Sequence, residues 1–116
     1  MTTTTGLTEP TTWHSVRCLF EVDPGGHEVG EPRTYEERVT IWLADGFDAA
    51  IALAEADAQR YAHTVNGRYL GLAQAYVMEG EPRHGAEVYS LMRNSDLPPQ
   101  SYLDRFFDSG TERQGG

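Results

Sequence analysis

Carboxylates set beside tyrosine and arginine are the first place to look for chemistry in this chain. Two-residue alternation through residues 35–44 puts Glu36 and Arg38 on one side of a strand and Glu37 on the other with Tyr35. A carboxylate held out of water near Tyr35 has a raised pKa and can move protons, which makes Tyr35 and Glu37 the candidate catalytic pair. The plainer account of the same residues is a strand-end Glu37 neutralised by an arginine such as Arg17 or Arg93. Asp104 and Asp108 offer a second pair of carboxylates, but Asp104 and Arg105 read as the wet side of a terminal helix.

The other reactive groups lack companions. A nucleophilic cysteine needs an exposed, electropositive position and a base. Cys18 has Arg17 beside it but falls on an apolar face in mid-strand, where core packing is its role. His14, His27, His63 and His84 are far apart and form no His-x-His or His-Glu-x-x-His arrangement. No metal site and no cofactor are expected, because ligation needs convergent donors. The glycines of 25–30 join strand to strand, so no helix start is aimed at a phosphate there.

A surface for contact is better supported than a reacting site. Trp13, Leu19 and Trp42 are expected to share the outer face of the first hairpin with Arg17, Glu36, Arg38 and Thr40. Aromatic residues and arginine are enriched at protein interfaces, so Trp13, Arg17, Leu19, Arg38 and Trp42 form the candidate partner-binding set. The competing reading is that Tyr102, Phe106 and Phe107 cover these residues within the same chain.

These residues are positioned by elements that the hydrophobic spacing marks out. Phe47, Ala50, Ile51, Ala54, Ala58, Tyr61, Ala62 and Val65 fall on one stripe of a helix over 47–65. Asp45 with Asp48 resembles a capping box at its start, and Asn66-Gly67 tolerates the positive φ that ends it. Residues 13–22 alternate with Val16, Cys18, Phe20 and Val22 inward, and residues 35–44 with Tyr35, Val39, Ile41 and Leu43 inward, which predicts a hairpin. A third strand is expected over 69–78, with Gly71, Ala73 and Ala75 on one face, Leu70, Leu72, Tyr76 and Met78 on the other, and its buried face open. A fourth is expected over 87–93. A short helix from Pro98 or Pro99 to Asp108 follows, with Tyr102, Leu103, Phe106 and Phe107 apolar.

The resulting fold class is α+β: a four-stranded antiparallel sheet in β-β-α-β-β-α order, one long helix on one face and a short C-terminal helix. The tetrapeptides Gly30-Glu31-Pro32-Arg33 and Gly80-Glu81-Pro82-Arg83 echo each other before the second strand of each pair, as a duplicated unit would.

At 116 residues the chain suits one domain. We expect that domain at 13–108, with a disordered Thr-rich tail at 1–12 and a flexible tail at 109–116. No stretch has the pattern of a signal peptide or membrane anchor, and the single cysteine suits a reducing compartment, so a cytoplasmic protein is expected. The formal charge is −9, from nine arginines, no lysine and eighteen acids. That average field disfavours nucleic acid and favours a basic protein. Arginine without lysine, alongside many Ala and Gly, also fits a GC-rich genome.

Several segments carry a resemblance: residues 13–20, Tyr35-Glu36-Glu37-Arg38, Phe47-Asp48-Ala49-Ala50, and above all 87–93 followed by 102–107 and 110–113. Over about Trp13 to Arg113 the chain resembles a small, mostly bacterial family catalogued as domain of unknown function four-two-eight-eight. The resemblance implies no activity. Pro98 stands where the family commonly has a capping Ser or Thr, which implies a shifted helix start or a cap from Asp96.

The expected function is a non-catalytic protein-binding or accessory domain that associates with itself or acts as an acidic inhibitor or immunity-type partner of a basic protein. One alternative is a small enzyme or ligand-binding domain with its pocket around Tyr35 and Glu37. Another rests on the terminal Gly115-Gly116, which is similar to the tail of ubiquitin-like modifiers and sulfur carriers.

Overall fold

A computed structural model of the chain describes residues 12–25, 28–107, 110 and 112–115. Strand β1 (Thr12–Val22) and strand β2 (Thr34–Ala44) form the expected hairpin, with Thr12 opposite Ala44 and Val22 opposite Thr34. Helix α1 (Phe47–Thr64) follows, then strand β3 (Gly67–Val77) and a short helix α2 (Pro99–Phe106). Of the expected terminal tails, residues 1–11, 109, 111 and 116 lie outside the described residues, as does 108 at the expected end of the terminal helix. Thr12, assigned to the tail from sequence, already pairs in β1.

The sheet is three-stranded and antiparallel in the order β2-β1-β3, which corrects the four-stranded sheet expected from sequence. The reason lies in residues 79–86. Gly80 and Gly85 both take positive φ, and a turn bonds the Ala86 N–H to the Arg83 carbonyl at 2.9 Å. The chain is thereby turned over the face of the sheet instead of along the edge of β3. Residues 87–93 keep their two-residue period without joining the ladder. Glu87, Tyr89, Leu91 and Arg93 meet the sheet or α2, while Met92 is 92 % exposed. The echo at 80–83 therefore does not mark a second hairpin.

The core lies between α1 and the middle of the sheet. Ala50, Ala54, Ala58 and Ala62 form the buried stripe of α1, and Val16, Cys18 and Phe20 meet it from β1. Alanine at every fourth position lets the helix sit close to the sheet, leaving room for Phe20, whose ring stands edge-on to Tyr61 at 5.2 Å. Ala73 and Ala75 of β3 pack against the same core, which identifies the small-residue face as the helix side.

Both helix ends differ in detail from the sequence reading. Gly46, at φ 106°, is the N-cap of α1 and no side chain caps it, so the Asp45–Asp48 box does not form. At the other end Asn66 takes φ 52°, as its type permits, and Gly67 begins β3. Gly67 is required by proximity: a Cβ there would lie 2.9 Å from the Glu21 carbonyl oxygen. Asn66 is clasped to Asp23, Nδ2 to Oδ1 at 2.7 Å, and the Asp23 N–H donates to the Asn66 carbonyl at 2.9 Å. Helix α2 begins after Pro98, with no side-chain cap from Asp96.

Candidate functional site: the open face of the sheet

The hairpin register decides which side chains face away from α1. Val16 stands opposite Thr40, Cys18 opposite Arg38 and Phe20 opposite Glu36, so the even-numbered residues of β2 share the helix face. Tyr35, Val39, Ile41 and Leu43, expected inward, lie on the other face with Trp13, Ser15, Arg17, Leu19 and Glu21. This reversal divides the candidate partner-binding set. Trp13, Arg17 and Leu19 are on the open face, while Arg38 and Trp42 are under α1.

The polar side of β2 is accommodated because α1 offers partners. Arg38 pairs with Asp57 at 2.9 Å and lies 3.9 Å above the Tyr61 ring centre. The Tyr61 hydroxyl donates to the Glu36 carboxylate at 2.8 Å, and the Trp42 indole N–H donates to Thr40 Oγ1 at 2.7 Å. Burial, reinforced by Glu36, pushes the Tyr61 hydroxyl above its ordinary pKa.

On the open face, Arg17 is the organising residue. Its Nη1 meets Glu37 at 3.0 Å, its Nε and Nη2 both donate to Gln74 Oε1, and its guanidinium lies 5.4 Å from the Tyr89 ring centre. Tyr89 also donates to Gln74 at 3.2 Å, and Tyr76 donates to Glu87. Residues 87–93 are thereby held across β1 and β3. Arg93 continues the link to α2, donating to the Tyr102 hydroxyl at 2.8 Å and lying 4.2 Å from the Phe106 ring centre. A groove of about 270 Å³ remains between Arg17, Leu19 and Glu37, Leu72 and Gln74, and Leu91, Arg93, Phe106 and Phe107. Phe106 and Phe107 thus reach the groove beside Arg17 and Leu19, whereas Trp13 and Trp42, which the sequence reading placed beneath the terminal helix, do not border it.

The covering stops short of β2. Val39, Ile41 and Leu43 are 41 %, 38 % and 41 % exposed and form a single apolar row. Among the described residues β2 is also an edge strand, with β1 on one side only. Sequence reasoning missed this row because it assigned these residues to the core. It missed Gln74 and Tyr89 because residues 87–93 read as part of the ladder.

The proposed reacting groups are placed without a reacting geometry. Tyr35 is exposed, and Glu37 is the counter-ion of Arg17, as the plainer sequence reading held. Both border a wide hollow of about 1200 Å³ at the start of β2, with Arg33, Arg38 and residues 112–115 on its rim. Cys18 is buried beneath α1, and burial raises its thiol pKa. His14 is buried with its ring 5.7 Å from Phe47, and His27 lies outside the described residues. Among the described residues no cluster of His, Cys, Asp or Glu could hold a metal, and no helix is long and apolar enough to cross a membrane.

One further carboxylate is notable. Glu21, on the open face and 1 % exposed, bonds Arg33 at 2.7 Å and Arg68 at 3.1 Å. The Arg68 bond first, then that of Arg33, holds its carboxyl below the ordinary range. Both oxygens are committed to these arginines, so the group fastens the loop before β2 to the start of β3.

No family model matches the chain, and neither a curated protein nor a solved structure matches it.

Proposed function

We propose that this is a non-catalytic protein-binding domain whose contact surface is the apolar outer row and free edge of β2. The observation that carries the reading is the row of Val39, Ile41 and Leu43 left uncovered on an edge strand. Proteins generally shield such edges with charge, proline or a covering segment, and larger exposed apolar patches mark interaction sites. Arg17 with Glu37 and Leu19 extends the patch toward the groove. The buried thiol and the resemblance of residues 87–113 to a bacterial family accord with a cytoplasmic accessory protein.

A photo-crosslinking residue at position 41, in cells of the source organism, tests the reading. Protein adducts should form from position 41 and not from position 52, on the exposed side of α1. Absence of any adduct from position 41 overturns the proposal.

The charge of −9 favours a second form of the same reading, in which the occupant is a basic protein held by an acidic inhibitor. Added salt then weakens the complex.

A further inference from the structure

The geometry points to the groove beside Arg17 as a binding site for a small monocarboxylic acid with a compact apolar body. This goes beyond the reading above and does not depend on it, because Val39, Ile41 and Leu43 border no part of this groove.

The walls set the body of the ligand. Leu19 and Leu72 of the sheet, Leu91 of the crossing segment, and the rings of Phe106 and Phe107 bound a space of about 270 Å³. These side chains do not close on one another, and Leu72, Leu91 and Phe107 stay half-exposed. A molecule seated among them removes that apolar surface from water. The volume falls just below the roughly 300–1,000 Å³ of sites for drug-sized ligands, so it suits about a dozen non-hydrogen atoms and not a nucleotide or coenzyme.

The charges set the head group. Arg17 is already answered, by Glu37 at Nη1 and by Gln74 at Nε and Nη2. Arg93 has only neutral partners: its Nη1 donates to the Tyr102 hydroxyl, and its guanidinium lies 4.2 Å from the Phe106 ring centre. No carboxylate among the described residues forms an ion pair with it. Two guanidiniums and one carboxylate leave one positive charge lining the groove, in a chain whose formal charge is −9. The Tyr102 and Phe106 contacts also hold the guanidinium in place, which lowers the cost of ordering it around a ligand. Its planar fork matches a carboxylate through two parallel hydrogen bonds. A monoanion balances the charge. A phosphate monoester would bring a second negative charge to a groove that Glu37 already borders.

The test titrates the full chain with 3-phenylpropionate, 3-phenylpropionamide and phenyl phosphate while following leucine methyl resonances. The acid should shift Leu19, Leu72 and Leu91 saturably, with a dissociation constant below about 10 mM for a ligand of this size. Leu53, exposed on α1, should stay unmoved. The amide has nearly the same shape without the charge and should bind at least about tenfold more weakly. Phenyl phosphate should bind more weakly than the acid. Leu72→Glu and Leu91→Glu each supply the groove with a carboxylate of its own and should weaken the acid at least about tenfold, with circular dichroism verifying the fold. If a variant does not fold, the comparison of acid with amide on the parent still decides. The inference is overturned by no saturable shift at these methyls, by equal binding of acid and amide, by tighter binding of phenyl phosphate, or by undiminished acid binding in a folded variant. The crosslink from position 41 decides the binding-domain reading separately.

Discussion

Glu21 couples distant parts of the chain through one side chain, and acidification uncouples them. Its folded pKa lies below the ordinary value of 4.5, so the unfolded chain takes up the proton more readily. The stability it contributes is complete above the ordinary value and is lost as pH falls through it toward the folded one. Glu21→Gln should therefore lower the urea midpoint at neutral pH, with the difference from the parent shrinking toward zero in acid. Tyr69 and Tyr61 act at the opposite end of the pH scale. Burial, with Glu55 accepting from Tyr69 at 2.6 Å and Glu36 accepting from Tyr61, raises both hydroxyls above 10. Stability from these neutral hydroxyls is intact below that value and is lost as pH climbs beyond it. An ultraviolet titration of the folded protein should show two of its six tyrosines ionising late. Ser15 is fully buried, and its hydroxyl has no partner among the described residues. A buried hydroxyl without a partner costs roughly 1–3 kcal/mol, so Ser15→Ala should unfold at equal or higher temperature than the parent.

At the scale of elements, the cover over β1 and β3 depends on few contacts. Residues 87–93 are fixed by Tyr89 and α2 by Arg93, which ties it back through Tyr102 and Phe106. Arg93→Ala should release α2 from the face while leaving the three strands and α1 intact. Limited proteolysis should then cut near 94–98 faster, with little change in the amide exchange of β1. Three of the elements are legible in the sequence almost to the residue. The stripe of α1, the extent of the hairpin strands and the Asn66-Gly67 stop all come from local spacing and backbone preference. The face of β2 is not legible, because both of its sides carry large residues and the choice belongs to register. Glu36 and Arg38 become inner residues once Tyr61 and Asp57 stand in place to receive them, and no local pattern announces those partners. The fate of 87–93 is hidden for a related reason: two-residue alternation describes any extended segment with one side down, whether it joins a ladder or crosses a face. The candidate site is legible in part, since the sequence points to Arg17 with Glu37 and not to the apolar row.

For the whole molecule, the two sides of the sheet are covered unequally. α1 roofs one side, while the chain's own later residues shelter only part of the other. A domain whose open face is completed by a protein partner gains stability by mass action, so its thermal midpoint should rise when the protein crosslinked from position 41 is added. A midpoint that does not respond to that protein would place the completing surface elsewhere. The clasp between Asp23 and Asn66 has a slower consequence. An asparagine followed by glycine is the sequence most inclined to cyclise and lose ammonia, and here its amide nitrogen is also the donor that satisfies a neighbouring acid. Ageing at this bond would exchange that donor for a second carboxylate, setting two negative charges face to face where the hairpin and the end of the helix are joined. Stored protein should thus loosen first at that end, and Asn66→Gly should slow the loss.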